Sequence, residues 1–168
     1  MAAHRFQRHS LKSKEAKTIL REVSERLKID LEESFDHKVN VEIVEADTGQ
    51  IILVNRKPLL FRSDGQVFPT LFFKEFMERV PKIVVDMGAV PYVCKGADIM
   101  APGVVRIEGE FGKGDFVVVV DINHQKPLAL GESICDSDNA RATKKGALAK
   151  NVHYVSDKIW DLAKATML

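Results

Sequence analysis

Two short segments of the 168-residue sequence have residue types and spacing that suit the binding of phosphate groups. In the first, residues 95–104, Gly96 is placed to end a helix in the left-handed conformation, and Gly103 follows Pro102 as in a tight turn with positive φ. Backbone amides at a helix end and in a glycine-rich turn can bind phosphate or sugar oxygens, and Lys95 adds a cation. On this spacing alone, a loop that needs its glycines only to turn is the simpler interpretation.

The second segment is a run of four basic residues within ten positions, with no acidic residue among them. They are Arg141, Lys144, Lys145 and Lys150. Such a run is most often a solvated face. If it folds beside the Gly96 loop, however, the two segments form one electropositive surface, with His153 and Tyr154 available to stack on bases.

No catalytic or metal-binding pattern accompanies these segments. The sequence has no G-x-S-x-G, P-loop or dinucleotide-binding motif, and the glycine-rich residues 109–114 are predicted to be a flexible hairpin loop between two strands. Cys94 and Cys135 are too far apart for a zinc finger, and we expect two buried free thiols. The histidines are scattered at His4, His9, His37, His124 and His153. We therefore expect no catalytic residue, no metal and no cofactor.

Composition excludes several classes of protein. With 45% hydrophobic and 29% charged residues, the chain is neither globally disordered nor, at a net charge of +1, a polycation. This near-neutrality is an average, because residues 1–28 carry eight basic and three acidic residues, whereas residues 29–50 carry one basic and seven acidic. No apolar stretch approaches the roughly 20 residues of a membrane span, and no signal peptide is evident. We expect a cytoplasmic protein without a membrane segment.

Periodicity predicts an α+β fold in two units. In residues 1–80, an amphipathic helix begins near Ser13 and packs through positions 16, 19, 20, 23 and 27. Antiparallel strands follow, and then a short helix opened by Pro69 and Thr70, whose aromatic residues we assign to the core. Pro81 marks the boundary between the units.

The second unit, residues 81–168, shows short strands at close spacing, which is typical of a small barrel. Residues 117–120 are continuously apolar, as expected of a strand covered on both faces. A short helical turn is predicted at residues 88–95, and a terminal helix from Ser156 onward is expected to close one end. The predicted strands are residues 82–86, 104–107, 116–121, 128–133 and 152–155.

Three blocks of the second unit resemble a PUA domain, the RNA-binding module named for pseudouridine synthases and archaeosine transglycosylases. They are residues 85–90 (VDMGAV), 96–103 (GADIMAPG) and 151–154 (NVHY). Together with residues 68–71 (FPTL), Asp157 and Trp160, they resemble the malignant-T-cell-amplified-sequence family, called translation-machinery-associated protein 20 in yeast. This resemblance covers essentially the whole chain.

The resemblance implies a non-catalytic RNA-binding protein of the translation apparatus, with an N-terminal α/β unit of antiparallel strands followed by a PUA pseudo-barrel. Its RNA-facing residues would be Lys95, Gly96, Ala97, Asp98, Met100, Pro102 and Gly103, with the neighbourhood of Lys150 to Tyr154. Relatives act on tRNA and the small ribosomal subunit in initiation, reinitiation or recycling, with a partner that bears an SUI-type domain. Such a partner would bind the N-terminal unit here.

Other functions stay open at this stage. One is a ribosome-biogenesis factor that binds rRNA, since such factors include chains of this size that end in a PUA domain. Another is an accessory protein of RNA modification; an RNA-modifying enzyme itself is disfavoured because residues 1–80 are short and offer no nucleophile paired with a base. A third is an adaptor between proteins that uses the phenylalanine-rich segment.

Overall fold

The structure, a computed structural model, describes residues 5–31 and 39–168 of the chain. Part of the acidic stretch that begins at Ile29 is therefore undescribed, and His4 and His37 lie outside the described residues.

The first half of the chain forms a five-stranded antiparallel sheet in the order β1-β2-β3-β4-β5. Two-residue turns with positive φ at both positions, Asn55–Arg56 and Asp64–Gly65, join its later strands. Such turns match the right-handed twist of the strands that they connect. The strands are β1 (Phe6–Ser10), β2 (Val41–Ala46), β3 (Gly49–Val54), β4 (Lys57–Ser63) and β5 (Gln66–Pro69).

Helix α1 (Ser13–Leu27) confirms the amphipathic helix predicted from the sequence. Four of its five predicted core positions are buried, and Ile19 is half-buried. The sheet is covered on both faces, because successive residues of Ile51 to Val54 point to opposite faces and all four are buried.

Two features of this half differ from the prediction. Strand β1 was not predicted, since four of its five residues are exposed and give little periodic signal; it pairs with β2, Phe6 opposite Ala46. Helix α2 (Lys74–Arg79) begins later than predicted. The hydroxyl of Thr70 donates to the carbonyl of Pro58 and accepts from the amide of Phe72, which holds residues 70–73 as a turn.

The second half forms a six-stranded sheet that curls into a half-barrel, in the order β7-β11-β10-β9-β6-β8. All of its pairs are antiparallel except β6 with β9. Residues 117–120 are buried on both faces, as predicted. The strands are β6 (Lys82–Val85), β7 (Ile99–Met100), β8 (Val104–Glu108), β9 (Phe116–Asp121), β10 (Pro127–Ser133) and β11 (Ala147–Tyr154).

Residues 109–114 do not form the predicted hairpin loop. The strands that flank them, β8 and β9, pair with opposite edges of β6 and not with each other. Phe111 is buried, and its amide donates to the hydroxyl of Ser137. This segment is therefore a crossover held by α4 (Ser137–Ala142). Neither α4 nor β7 was predicted from the sequence.

The terminal helix α5 (Lys158–Thr166) was expected to close one end of the second unit, but it lies mainly against β3 and β4 of the first sheet. Its Leu162 and Ala163 are fully buried in the core of the first half, and Trp160 stacks on Phe72 with ring centres 4.5 Å apart. Outward-facing residues of the second sheet join the same core: Val84, Val118, Val120 and Leu130.

A separate, smaller core fills the half-barrel. Ile83 and Val85 of β6 and Val117 and Val119 of β9 face it, whereas the alternate residues of both strands face the first half. The continuous apolar run of β9 is thus explained, because the strand separates two hydrophobic cores.

Candidate nucleic-acid interface

A short helix, α3 (Val90–Val93), leads into the glycine loop. Pro91 lies in its first turn, where a proline is tolerated, and the Asp86 carboxylate accepts a hydrogen bond from the Ala89 amide at 2.9 Å. The chain then turns at Gly96, whose φ of 94° confirms the predicted left-handed conformation. A side chain at Gly96 would also meet the ring of Tyr154, since an added Cβ would lie 3.0 Å from Cε1.

Asn151 of β11 fixes this loop in place, a role that was not predicted from the sequence. Its side-chain nitrogen donates to the carbonyls of Val93 and Ala97, both at 3.0 Å, and its backbone amide donates to the Asp98 carboxylate at 3.0 Å. Asp98 therefore orients the loop from within. Only the N-V-H-Y block pointed to this asparagine.

Gly103 differs from its prediction. It belongs to a 3-10 turn, Ala101–Gly103, and its φ is not positive, so the predicted turn type is wrong. The glycine is required for close approach instead, because an added Cβ would lie 2.9 Å from the Cβ of Ala89. Pro102, beside it, is exposed.

The basic run does fold beside the Gly96 loop. Met100 pairs with Ala147 across β7 and β11, and the Ala101 amide donates to the Gly146 carbonyl at 2.8 Å. Lys144 and Lys145, which precede Gly146, are exposed and make no ion pair with any residue of the described ranges. Lys150 is also exposed, and it lies opposite Glu132 on β10.

Arg141 has a different environment from these lysines. Its guanidinium contacts the Glu110 carboxylate at 2.9 Å, lies 3.7 Å from that of Asp138 and donates to the Gly109 carbonyl at 2.8 Å. Hydrogen bonds lower the pKa of Glu110, so that this carboxylate stays charged; the bond from Ser137 has the larger effect and the bond from Arg141 the smaller one. Arg141 thus holds the crossover against α4 and contributes less free positive charge than Lys144 and Lys145.

His153 cannot stack on a base, and that prediction is wrong. Its side chain is fully buried, with Nδ1 2.8 Å from the Asp157 carboxylate and its ring 5.2 Å from that of Phe61. Asp157 also accepts hydrogen bonds from the amides of Tyr154 and Trp160. Burial raises the pKa of Asp157, but the hydrogen bonds from His153, Trp160 and Tyr154 outweigh it and lower this pKa below the ordinary value.

Large exposed apolar side chains surround the loop; Met100 was predicted to belong to the site, whereas Tyr92 and Met87 were not. Tyr92 on α3 is 68% exposed, and Met87 and Met100 are 44% and 48% exposed. Because neighbouring residues of a helix point about 100° apart, the inward Val93 turns Tyr92 outward. Seven exposed residues around the loop, near the exposed Asp98 and Met87, are called the loop surface here: Tyr92, Lys95, Ala97, Met100, Pro102, Lys144 and Lys145.

Metal-binding clusters and membrane-spanning helices are absent from the described part of the chain. Residues 5–31 and 39–168 contain no group of three or more His, Cys, Asp or Glu arranged to hold a metal ion. None of the helices in these ranges is long and apolar enough to cross a membrane. Cys94, which ends α3, and Cys135 are free and half-buried, and burial raises the pKa of both thiols.

Both halves of the chain match known protein families, and the chain as a whole is similar to several known proteins. Residues 81–155 match the PUA domain, and residues 7–74 match a domain of unknown function, DUF1947. An uncharacterized protein of Methanocaldococcus jannaschii is 38% identical over 92% of this chain and 95% of its own. Translation machinery-associated protein 20 of Saccharomyces cerevisiae is 27% identical over 79% and 78%, and malignant T-cell-amplified sequence 1 of Danio rerio is 30% identical over 67% and 65%.

Solved structures show the same arrangement of both halves. A PUA-domain crystal structure from Aeropyrum pernix K1, a tartrate complex, superposes with a TM-score of 0.81 at 31% identity and covers 96% of this chain and 93% of that one. A hypothetical protein from Pyrococcus horikoshii OT3 superposes with a TM-score of 0.75 at 32% identity, covering 94% and 99%.

Proposed function

The chain belongs to the family of PUA-domain proteins that includes translation machinery-associated protein 20 and malignant T-cell-amplified sequence 1, and we propose that it is a non-catalytic RNA-binding protein of the translation apparatus. The loop surface is its RNA site. One observation carries the assignment: two hydrogen bonds from Asn151 hold a glycine loop beside exposed lysines and an exposed tyrosine.

Each part of the loop surface suits a different part of RNA. Lys95, Lys144 and Lys145 are exposed cations for phosphates, and Tyr92 offers a ring on which an unpaired base can stack. Gly96, Ala97 and the other predicted site residues of the loop bring backbone close to the ligand. Since the net charge is only +1, binding depends on the shape of this loop as well as on long-range attraction.

The RNA partner that we propose is tRNA or the small ribosomal subunit, during initiation, reinitiation or recycling in the cytoplasm. Residues 81–168 act as the RNA-binding domain, and residues 1–80 offer the surface for an SUI-domain partner protein. Lys150, Tyr154 and Arg141 lie at the border of the loop surface. Tyr154 supports Gly96 with its ring, and Arg141 contributes mainly through the crossover that it holds.

Charge substitution at the loop surface tests this proposal. Fluorescence anisotropy over a series of salt concentrations measures the affinity for an in vitro transcribed tRNA. This affinity should be lower for Lys95→Gln than for the wild type, and lower also for the double variant Lys144→Gln with Lys145→Gln. The slope of log affinity against log salt should become shallower by about one for each phosphate that the variant no longer binds. The matched control, Lys74→Gln with Lys164→Gln, neutralises two exposed lysines of α2 and α5 and should bind like the wild type.

Two further results would redirect the proposal. Wild-type protein without measurable RNA affinity would contradict RNA binding altogether and would favour an adaptor between proteins. Co-sedimentation with precursors of the large ribosomal subunit, in place of small subunits, would contradict the role in initiation and favour ribosome biogenesis.

A further inference from the structure

Three cations lie close together on the exposed surface of α1, which also carries Glu15, Glu22 and Glu25. Lys14, Lys17 and Arg21 follow one another at intervals of three and four residues, so they lie on one side of the helix, next to the buried face that contains Leu20 and Val23. All three are exposed, and within residues 5–31 and 39–168 none of them makes an ion pair.

This placement works against the stability of the helix. Lys17 has a like charge three residues before it, at Lys14, and another four residues after it, at Arg21; such neighbours repel one another. Lys14 also lies in the first turn, where the helix dipole disfavours positive charge and where Glu15 is the one acidic residue. Lys12, at the N-cap position, provides no side-chain hydrogen bond to the helix.

Lys14 and Lys17 have no acidic residue three or four positions away on α1, whereas Arg21 has Glu25. An anionic ligand explains cations placed against one another and against the helix dipole. Local rules of stability are broken most often at functional positions. The neighbouring basic residues behave differently: Arg8 pairs with Glu42 at 2.9 Å, and Lys28 lies 3.5 Å from Asp115. Lys14, Lys17 and Arg21 have no such partner within the described ranges.

We propose that Lys14, Lys17 and Arg21 form a second RNA-phosphate-binding surface, separate from the loop surface. This inference rests on the proposed RNA-binding function. We call the three residues the α1 ridge. Its ligand is the sugar-phosphate backbone, because the ridge offers only cations and no exposed aromatic ring for bases.

The C-terminal end of α1 lies beside the second sheet. Lys28, which follows α1, is 3.5 Å from Asp115, immediately before β9, and the register of β9, β10 and β11 puts that point at the end of the sheet where β11 begins. The α1 ridge begins at Arg21, about 10 Å along the helix from this contact. Lys144 and Lys145 precede β11. Asp115 and Glu132 lie between the two basic surfaces, so we expect two separate contacts with the RNA and no continuous basic track.

A triple variant, Lys14→Gln with Lys17→Gln and Arg21→Gln, tests the α1 ridge in the full chain. The control neutralises three exposed lysines elsewhere, Lys74→Gln with Lys158→Gln and Lys164→Gln. With in vitro transcribed tRNA, the α1 variant should lose at least about tenfold in affinity at low salt, and its salt slope should become shallower by about 2 to 3. The control should keep the wild-type slope.

The α1 variant should also unfold at the same temperature as the wild type or higher, because it removes repulsion, so weaker binding cannot be assigned to misfolding. A salt slope equal to that of the wild type, in a wild type that binds tRNA, would overturn the α1 ridge and leave the loop surface intact. Absence of tRNA binding by the wild type would instead contradict the proposed function itself.

Discussion

The side-chain amide of Asn151 donates to the carbonyl oxygen of Val93 at 3.0 Å, joining β11 to the end of α3 across 58 positions of sequence. The same nitrogen reaches Ala97 on the far side of Gly96. One side chain therefore sets where the loop stands relative to the sheet. Its position explains how a loop with exposed residues on both sides is held against β11.

Asn151→Asp should weaken RNA binding and lower stability. The carboxylate cannot donate to the two carbonyls, and each missing hydrogen bond costs about 0.5–1.5 kcal/mol. Urea unfolding should show the loss in stability, and tRNA affinity should fall severalfold because the loop is no longer held. Asn123→Asp is the control, since Asn123 is exposed in the turn after β9. Equal behaviour of the two variants would contradict the role of Asn151 in holding the loop.

Gly96→Ala should destabilise the protein more than Gly146→Ala. Both glycines have positive φ, 94° and 88°, and alanine in that conformation costs about 1–2 kcal/mol. Only at Gly96 does the new Cβ meet another group, the Tyr154 ring, whereas nothing lies within 4 Å at Gly146. The difference in unfolding free energy between the variants measures this collision. Equal losses would show that the Tyr154 ring moves aside freely.

The environment of Asp157 predicts a dependence of stability on pH. Because its pKa is lower in the folded protein, ionised Asp157 stabilises the fold above the ordinary aspartate pKa of about 4, and the contribution is lost as pH falls through the folded value. Asp157→Asn should be less stable than the wild type at neutral pH. The difference between the two should shrink in acid. A constant difference from neutral to acid pH, measured by urea unfolding, would contradict this account.

The two halves should unfold in one transition. Leu162 of α5 is fully buried against the first sheet. Leu162→Ala should therefore lower the free energy of unfolding by about 2–5 kcal/mol, and both halves should be destabilised together. Trp160, the one tryptophan, stacks on Phe72, and its fluorescence reports on the contact between the halves. Far-UV circular dichroism should follow the same curve. Two separated transitions would show that the halves are independent.

Predictions from the sequence held where a signal was local and periodic. The amphipathic face of α1 and the apolar run of β9 both emerged as predicted, since burial of alternate or helically spaced residues leaves a regular pattern. Errors arose where a distant residue decided the local structure. The hydroxyl of Thr70 donates to the carbonyl of Pro58, so that α2 begins later than predicted. Gly103 is required because its backbone lies close to the side chain of Ala89.

The candidate site, too, could be predicted from the sequence only in part. The glycines, the lysines and the family resemblance are evident in the sequence, and they point to residues 95–103 and to the basic run. The exposure of each side chain is not evident there. His153 and Tyr154 are adjacent in a strand, yet His153 is buried against Phe61 and Asp157 whereas Tyr154 supports Gly96.

The sequence by itself therefore determined the fold class, the family and the two segments that form most of the loop surface, because these depend on residue type, spacing and motif. Tertiary structure decided which side chains a ligand can reach. It buried His153, offset the charge of Arg141 with Glu110, and exposed Tyr92. The physical reason is that burial and ion pairing depend on residues that meet only after the strands have paired, and no local pattern records those partners.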